Sequence, residues 1–194
     1  MELLKERILR EGKVLSGDIV KVDGFLNHLV DVELMKELAR EFRRRFSDER
    51  ITKIVTVEAS GIALGAICAQ EFGVPMLFAK KAKSDNIEGG LLQSEIFSYT
   101  YKKKVTLIMS SQWISDADRV LIVDDFLANG EALRGLTEIV RAAGAEIAGI
   151  GIAIEKGFQG GGDKLRAVGY NVQSLAIIDG IEDGKVRFRE DGAH

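Results

Sequence analysis

Two adjacent carboxylates, Asp124 and Asp125, follow the apolar run VLIV and stand a few residues ahead of the pair Asn129-Gly130. A helix is predicted directly after this pair, over residues 131–143. Glycine adopts positive φ readily, so the chain can turn tightly there. The first turn of a helix presents unpaired N–H groups and a partial positive charge, which together favour a phosphate. The spacing therefore predicts two carboxylates beside a phosphate site.

Paired carboxylates in such a place have two main chemical uses. They can hold a divalent metal, or they can accept hydrogen bonds from a vicinal diol such as ribose. A phosphate one sugar length from a diol describes a ribose 5-phosphate. In the simpler alternative, Asp124 caps the strand and Asp125 is only solvated. That alternative is less favoured, because neighbouring like charges are unfavourable unless a ligand or a metal neutralises them.

Other phosphate and metal chemistries fit the sequence less well. It contains neither the G-x-x-x-x-G-K-[ST] motif nor a G-x-G-x-x-G after a strand. The Gly149-Ile150-Gly151 triplet lies inside a predicted strand, where close packing explains it better. A metal-bound phosphatase or phospho-acceptor site would find its lysine in Lys156, but the loop 128–130 would then have no role.

The elements that must position these residues alternate between apolar strands and helices. We predict strands over 53–58, 75–80, 119–125, 146–156 and 172–178, and helices over 2–12, 32–46, 63–73, 131–143 and 163–169. This alternation predicts one α/β domain, residues 1–194, with a mainly parallel sheet flanked by helices. Residues 82–112 are predicted to form a flexible flap that contains two strand-like segments. Ligands bind beyond the carboxyl ends of such strands, where Glu58-Ala59-Ser60-Gly61, Asp124-Asp125 and Glu155-Lys156 are found.

The composition is that of an ordinary globular protein, with 46% hydrophobic and 29% charged residues. A net charge of −3 does not suggest a nucleic-acid-binding surface. The single cysteine, Cys68, excludes an intramolecular disulfide and is expected to be a small buried hydrophobe. No stretch approaches the length of a membrane span, so we expect a cytoplasmic protein with no membrane partner.

The segment VLIVDDFLANGEA, residues 120–132, resembles the thirteen-residue phosphoribosyl pyrophosphate (PRPP) motif of type I phosphoribosyltransferases. The resemblance covers essentially the whole chain. The chain is similar to purine-salvage members of this family that act on xanthine in four segments: VDGFLNH (22–28), ITKIVTVEASGIA (51–63), FAKKAKS (78–84) and GIAIEKGFQ (151–159). It implies transfer of 5-phosphoribosyl from PRPP to N9 of xanthine, which gives xanthosine 5′-monophosphate and pyrophosphate. It also implies Mg²⁺ bound with PRPP, a homodimer, and a small hood formed by about residues 1–30 and the C-terminal segment over the sheet.

The same resemblance implies roles for residues at the PRPP end of the site. Asp124 and Asp125 would accept from the ribose 2- and 3-hydroxyls, directly or through hydrated Mg²⁺, with no direct metal ligand. The 5-phosphate would be cradled by the backbone amides of Ala128, Asn129, Gly130, Glu131 and Ala132. The pyrophosphate loop, which often contains a cis peptide in this family, is matched by Ala59, Ser60 and Gly61. Pyrophosphate would be neutralised by Lys80 or Lys81, together with Lys83.

The purine would be read by Val20, Asn27 and Lys156. Xanthine is the most acidic of the common purines, so a cation such as Lys156 would favour it over adenine. Val20 stands where a leucine is usual, which predicts looser packing on the base. The segment GFQGGGD, residues 157–163, has three glycines in place of a proline-bearing loop, which predicts a more mobile loop. Phe158 is a further candidate for the purine face.

Two alternatives to xanthine transfer remain open at this point. The protein could act mainly on guanine or hypoxanthine. It could also be a non-catalytic regulator that senses PRPP, although the sequence shows no helix-turn-helix pair and no basic face. Candidate dimer surfaces are the segment EFRRRF, residues 41–46, and the N-terminal helix.

Overall fold

The computed structural model describes residues 1–15, 19–82, 90–98, 103–182 and 184–190. Within these ranges the chain forms five α-helices: α1 Glu2–Glu11, α2 Val32–Arg45, α3 Gly61–Phe72, α4 Glu131–Ala142 and α5 Gly161–Ala167. The strands are β1 Lys13–Leu15, β2 Ile19–Lys21, β3 Lys53–Val57, β4 Met76–Ala82, β5 Leu91–Ser98, β6 Lys103–Ser110, β7 Arg119–Leu127, β8 Glu146–Lys156, β9 Val172–Glu182 and β10 Lys185–Phe188.

Eight strands of the described chain form one sheet in the order β10-β9-β8-β7-β3-β4-β6-β5. The five central strands, from β9 to β4, are parallel to one another. The outer strands β10, β6 and β5 pair antiparallel with their neighbours. The prediction of a mainly parallel sheet is therefore confirmed. Because the parallel strands share one carboxyl edge, the polar segments that follow β3, β7 and β8 are placed side by side.

Apolar residues pack on both faces of this sheet, as the continuous hydrophobic strands predict. One core contains Ile54 and Leu121 together with residues of α2 and α3. The other contains Val55 and Ile122 together with residues of α4. Consecutive residues of β3 and β7 thus enter opposite cores, which is the two-residue period of a strand. Helix α2 begins where predicted, since the Asp31 side chain caps it by accepting from the Leu34 N–H at 3.1 Å.

The two glycines of the Gly149-Ile150-Gly151 triplet lie under α2. A Cβ added to Gly151 would come within 2.9 Å of Cδ1 and Cε1 of Phe42, and Gly149 faces Phe46 in the same way. The triplet is therefore a packing feature of β8, as predicted.

The ends of several elements differ from the prediction. Strand β7 continues past the two aspartates to Leu127, because its pairing with β8 extends to Leu127 and Glu155. Strand β9 extends to Glu182 and pairs with β10, which was not predicted. Strands β1 and β2, which were not predicted, pair antiparallel with each other, and residues Asp23–Asn27 form a π-helical turn.

The predicted flap region, residues 82–112, is described in part, and residues 83–89 and 99–102 lie outside the described ranges. Strands β5 and β6 pair with each other, and β6 pairs with β4, so these two strands extend the main sheet. Ile96 of β5 and Leu107 of β6 are buried in the core that contains α4. The described strands of this region are thus anchored on α4, the helix that follows the paired aspartates.

Candidate active site

The paired carboxylates lie inside β7 and are both buried, Asp124 with 4% and Asp125 with 3% of its surface exposed. Two groups from distant parts of the chain donate to Asp125. Ser60 Oγ lies 2.9 Å from Oδ1, and Asn27 Nδ2 lies 3.4 Å from Oδ2. The fold therefore joins three separately predicted segments at one carboxylate.

Asp124 has a different environment from its neighbour. Burial, followed by the charge of Asp125, raises the pKa of Asp124 well above its usual value, and the charge of Lys81 acts in the opposite direction. Its Oδ1 accepts the backbone N–H of Asp125 at 3.1 Å and lies 2.7 Å from where a Cβ on Gly61 would be. Only a glycine leaves room there for this carboxylate at the start of α3.

The predicted pyrophosphate loop connects β3 to α3 beside these carboxylates. The peptide bond between Glu58 and Ala59 is cis, as the family resemblance implies. The Glu58 side chain accepts the backbone N–H of Lys81 at 2.7 Å, which ties the loop to β4. Thr56 Oγ1, in β3 just before this loop, is buried and has no hydrogen-bond partner among the described residues.

The structure distinguishes the two lysines at the end of β4. The charge of Lys81 acts to lower the pKa of Asp124, and the Lys81 backbone N–H donates to Glu58 of the neighbouring loop. Lys80 instead lies with its Nζ 5.9 Å from the Phe78 ring centroid and lines a separate apolar cavity with Met76 and Ile108. Lys83 lies outside the described residues.

The loop after β7 leads into α4 with the geometry expected of a phosphate site. Gly130 has φ 88° and directly precedes the helix, and no side chain among the described residues caps the first turn. The Glu131 carboxylate is directed to other donors than the first-turn amides, because it accepts from Arg134 Nη2 at 3.1 Å and from the Phe97 N–H of β5 at 3.3 Å. The pair with Arg134 also lowers the pKa of Glu131. The first-turn amides are therefore left available for an anion.

The three predicted base-reading residues lie around one cavity. Its volume is about 260 Å³, and it is lined by Val20, Lys21, Val22, Asp23, Asn27, Phe126, Ala128 and Lys156. Ala128 belongs to the predicted phosphate loop, and Asn27 contacts Asp125, so the cavity is continuous with the carboxylates and the loop. The arrangement has a base-sized pocket, two buried carboxylates, and two helix N-termini.

A family model described as a phosphoribosyl transferase domain matches residues 25–178, which span the carboxylates, both loops and four of the eight residues that line the cavity. The chain belongs to the phosphoribosyltransferase family.

Two relatives match this phosphoribosyltransferase along nearly its whole length. A xanthine phosphoribosyltransferase of Lachnoclostridium phytofermentans is 53% identical over 193 residues, covering 98% of this chain and 100% of the relative. A xanthine phosphoribosyltransferase of Bacillus cytotoxicus is 52% identical over 188 residues, covering 97% of this chain and 95% of the relative. The family resemblance drawn from the sequence is confirmed.

Solved structures of adenine phosphoribosyltransferases share the fold. The enzyme of Giardia lamblia, complexed with 9-deazaadenine, has a TM-score of 0.76 at 22% identity, covering 90% of this chain and 96% of the other. The enzyme of Trypanosoma brucei, in complex with AMP, pyrophosphate and ribose-5-phosphate, has a TM-score of 0.75 at 21% identity, covering 90% and 78%. The type I phosphoribosyltransferase fold is confirmed.

Sequence reasoning missed one aromatic residue and misread a loop of this phosphoribosyltransferase. Phe126, rather than Phe158, lies at the cavity, with its ring centroid 5.9 Å from Lys156 Nζ. Its position directly after the paired aspartates was an available signal. The glycine loop was predicted to be mobile, yet Gly161 and Gly162 are buried and pack closely against their neighbours.

Proposed function

We propose that this phosphoribosyltransferase transfers the 5-phosphoribosyl group of PRPP to N9 of xanthine, in purine salvage. The observation that carries the proposal is the hydrogen bond between Asn27, at the base cavity, and Asp125, at the carboxylate pair. It supports the proposal because Asp125 then lies between the base cavity and the phosphate loop, as a ribose lies between base and phosphate in a nucleotide. The relatives that are about half identical to this chain are xanthine phosphoribosyltransferases.

In this reaction the bond between C1 of ribose and pyrophosphate breaks, and a bond from N9 of the base to C1 forms. Positive charge develops on the ribose as the leaving group departs, as it does in glycoside hydrolysis. Asp124 and Asp125 lie where a ribose would be held and stabilise that charge, while Lys81 and the amides of α3 stabilise the departing pyrophosphate. The protein supplies position and field, and no covalent nucleophile is needed.

Mg²⁺ fits the oxygen chemistry of this site as a partner of PRPP. Magnesium is commonly bound by one or two carboxylates together with substrate phosphates and water. Asp124 and Asp125 would hold such a hydrated ion, and the described residues contain no group of three or more acidic, histidine or cysteine side chains that could hold one. When bound, the ion neutralises charge on the pyrophosphate.

Selectivity for xanthine would come from Lys156 and Asn27 at the cavity. Xanthine carries two ring carbonyl oxygens and loses a proton more readily than the other common purines, so a nearby ammonium group favours it. Phe126 offers an apolar face beside Lys156. Val20 is buried and also lines the cavity, where its smaller size gives the base more room than the usual leucine.

We further propose that the chain is one domain with a hood and a flap, and that it acts as a cytoplasmic homodimer. In the hood, the Met1 ammonium group donates to the Leu175 carbonyl at 2.6 Å, and β2 and the turn 23–27 reach the base cavity. The segment 41–46 is a poor candidate for the dimer surface, since Phe42 and Phe46 are buried and Arg44 pairs with Glu41. Within the described residues no helix has both the length and the apolar character needed to cross a membrane.

The direct test is nucleotide formation from PRPP, with and without Mg²⁺, with xanthine, guanine, hypoxanthine, adenine and orotate offered in parallel. We expect Mg²⁺-dependent xanthosine 5′-monophosphate as the dominant product. Dominant turnover of guanine or hypoxanthine would keep the reaction and overturn the base assignment. Binding of PRPP without any product would favour a sensor over an enzyme.

A further inference from the structure

The glycine loop, residues Gly160–Gly162, packs directly on the loop that is proposed to bind the 5-phosphate. A Cβ added to Gly161 would lie 2.8 Å from both Asn129 C and Gly130 N, and closer still to the Ala128 carbonyl oxygen. Real side chains do not tolerate such contacts, so a substitution here must displace one of the two loops. The backbone of the phosphate loop thus rests on Gly161, a residue outside the PRPP motif.

A buried ion pair lies behind the glycine loop. Glu155, near the end of β8, has no exposed surface and receives two hydrogen bonds from Arg166 of α5, at 3.0 and 2.7 Å. Ser174 Oγ donates to the same carboxylate at 2.5 Å. A Cβ on Gly162 would come within 2.7 Å of Glu155 Oε2, so the backbone of the glycine loop lies directly against this carboxylate.

A second set of ion pairs fixes the same short helix from the other side. Asp163 accepts from Arg166 at 3.1 Å and from Arg189 at 3.2 Å, and Arg189 also donates to Asp179 at 2.9 Å. Helix α5 is therefore held between β9 and the residue that follows β10. These contacts restrain the helix whose first residues, Gly161 and Gly162, pack against the phosphate loop and Glu155.

A buried ion pair is a costly way to stabilise a fold, because both groups lose their hydration and apolar residues of the same size often stabilise as well. What a two-pronged arginine–carboxylate contact provides is a fixed geometry. Here that geometry is transmitted over three contacts, from Arg166 to Glu155, from Glu155 to Gly162, and from Gly161 to the phosphate loop.

We propose that the Glu155–Arg166 pair and Gly161 form a positioning element that sets the affinity for PRPP by fixing the backbone of residues 128–130. The proposal rests on the proposed function, since it takes this loop as the 5-phosphate site. Arg166 and Gly161 touch neither substrate in this scheme and act through the loop. The base cavity is expected to respond less, because most of its lining comes from the hood, Phe126 and Lys156.

The test compares Arg166→Gln, Arg166→Lys and Gly161→Ala with two control variants of the full chain. Arg187→Gln removes an exposed arginine that pairs with Glu182, and Gly180→Ala adds a methyl group that meets only the end of Arg187, at 3.4 Å. Gly161 does not have a positive φ, so its added methyl acts through space alone. Calorimetry gives the Kd for PRPP with Mg²⁺, initial rates give the KM for xanthine at saturating PRPP, and thermal unfolding confirms that each variant is folded.

We expect Arg166→Gln and Gly161→Ala to raise the Kd for PRPP by about 10- to 100-fold, the size of effect that a misplaced binding group causes. The KM for xanthine should rise less than the Kd for PRPP, because Ala128 is the one cavity-lining residue that belongs to this loop. Arg166→Lys should lie between Arg166→Gln and the unchanged chain, because lysine restores the charge but not the paired contact. Both control variants should bind PRPP like the unchanged chain.

An unchanged Kd for PRPP in folded Arg166→Lys and Gly161→Ala proteins would overturn the proposal, even if Arg166→Gln does not fold. Equal rises in the Kd for PRPP and in the KM for xanthine would also overturn it, since they would indicate general loosening of the site. If the unchanged chain bound PRPP but made no nucleotide, the proposed function would fail, while weaker PRPP binding in the variants would still support the positioning element.

Discussion

Asp124 and Asp125 are adjacent in sequence but differ in what surrounds them. Asp125 is held by Ser60 and Asn27, so its position depends on two other segments of the site. Asp124 packs against Gly61 at the start of α3, and burial together with the charge of Asp125 raises its pKa. Their residue types and spacing predict a ribose phosphate site, and this assignment stays a prediction. The sequence could not decide between Lys80 and Lys81, because consecutive strand residues face opposite sides and the strand's exact placement decides which side holds the site.

Replacing Asp124 by asparagine should raise the unfolding temperature of the substrate-free protein near pH 7 and lower its turnover. Because burial raises the pKa of Asp124, ionisation of this carboxyl, which in the unfolded chain occurs near the ordinary pKa of about 3.9, costs more free energy in the substrate-free fold. Stability contributed at this position therefore falls as the pH rises above that value. Asparagine has no proton to lose, so Asp124→Asn should also show a flatter dependence of unfolding temperature on pH.

Thermal unfolding across the pH range, together with initial rates, measures both effects. Asp48→Asn is the matched control, since Asp48 is exposed and accepts a long hydrogen bond from Ser47 Oγ at 3.5 Å. The control should change neither quantity. An Asp124→Asn protein that unfolds at a lower temperature than the unchanged chain near pH 7 would contradict this account.

Replacing Lys156 by methionine should weaken the binding of xanthine more than the binding of hypoxanthine. Methionine keeps much of the apolar length of lysine beside Phe126 but removes the charge. A hydrogen bond from a charged group contributes about 1.5–3 kcal/mol, so the KM for xanthine should rise roughly 10- to 100-fold. The KM for hypoxanthine should rise less, because that base loses its proton less readily. Lys36→Met, which removes a lysine paired with Glu33 on α2, is the control. Equal effects on both bases would exclude a charge-based role for Lys156.

At the scale of elements, the central sheet, its helices and the two strand-like segments that form β5 and β6 could be predicted, whereas the short strands β1, β2 and β10 could not. Continuous apolar runs identify β3, β7 and β8, and glycines or a capping aspartate mark several helix ends. The end of β7 was predicted too early because two aspartates interrupt its apolar pattern, while backbone pairing with β8 continues to Leu127. The strands β1, β2 and β10 are three or four residues long, which is too short for a period to be recognised.

The contact between β8 and α2 can be tested by Gly151→Ala. The added carbon would lie 2.9 Å from the Phe42 ring, so we expect a loss of about 1–3 kcal/mol of stability, the usual cost of overpacking a core. Gly180→Ala in β9 is the control, since its added carbon has one distant neighbour at 3.4 Å. Denaturant unfolding measures both variants.

A double variant shows whether the Phe42 ring causes that loss. In Gly151→Ala with Phe42→Leu, the smaller side chain leaves space for the new methyl group. The double variant should therefore lose less stability than the sum of the two single variants. Strict additivity would show that the cost of Gly151→Ala arises elsewhere in β8.

At the scale of the whole molecule, the site exists only in the folded chain. Its side chains come from four parts of the chain: Asn27 from the hood, Ser60 from the loop between β3 and α3, Asp125 from β7 and Lys156 from β8. No short segment contains them all. Any ligand that needs this arrangement binds the native state and not the unfolded chain. Binding must then stabilise the fold by an amount that depends on the ligand concentration relative to its Kd.

PRPP with Mg²⁺ should accordingly raise the unfolding temperature, and xanthine alone should raise it less. At a concentration of 100 times the Kd, a ligand adds about 2.7 kcal/mol, and each kcal/mol corresponds to about 2–4 °C for a chain of this size. PRPP contacts both helix N-termini and the carboxylate pair in the proposed scheme, whereas a base contacts the cavity alone. Thermal unfolding at increasing PRPP, with Mg²⁺ or with a chelator, measures the shift. A shift that xanthine reproduces in full without PRPP would contradict the assignment of the carboxylates and the phosphate loop, because the cavity would then carry the binding energy by itself.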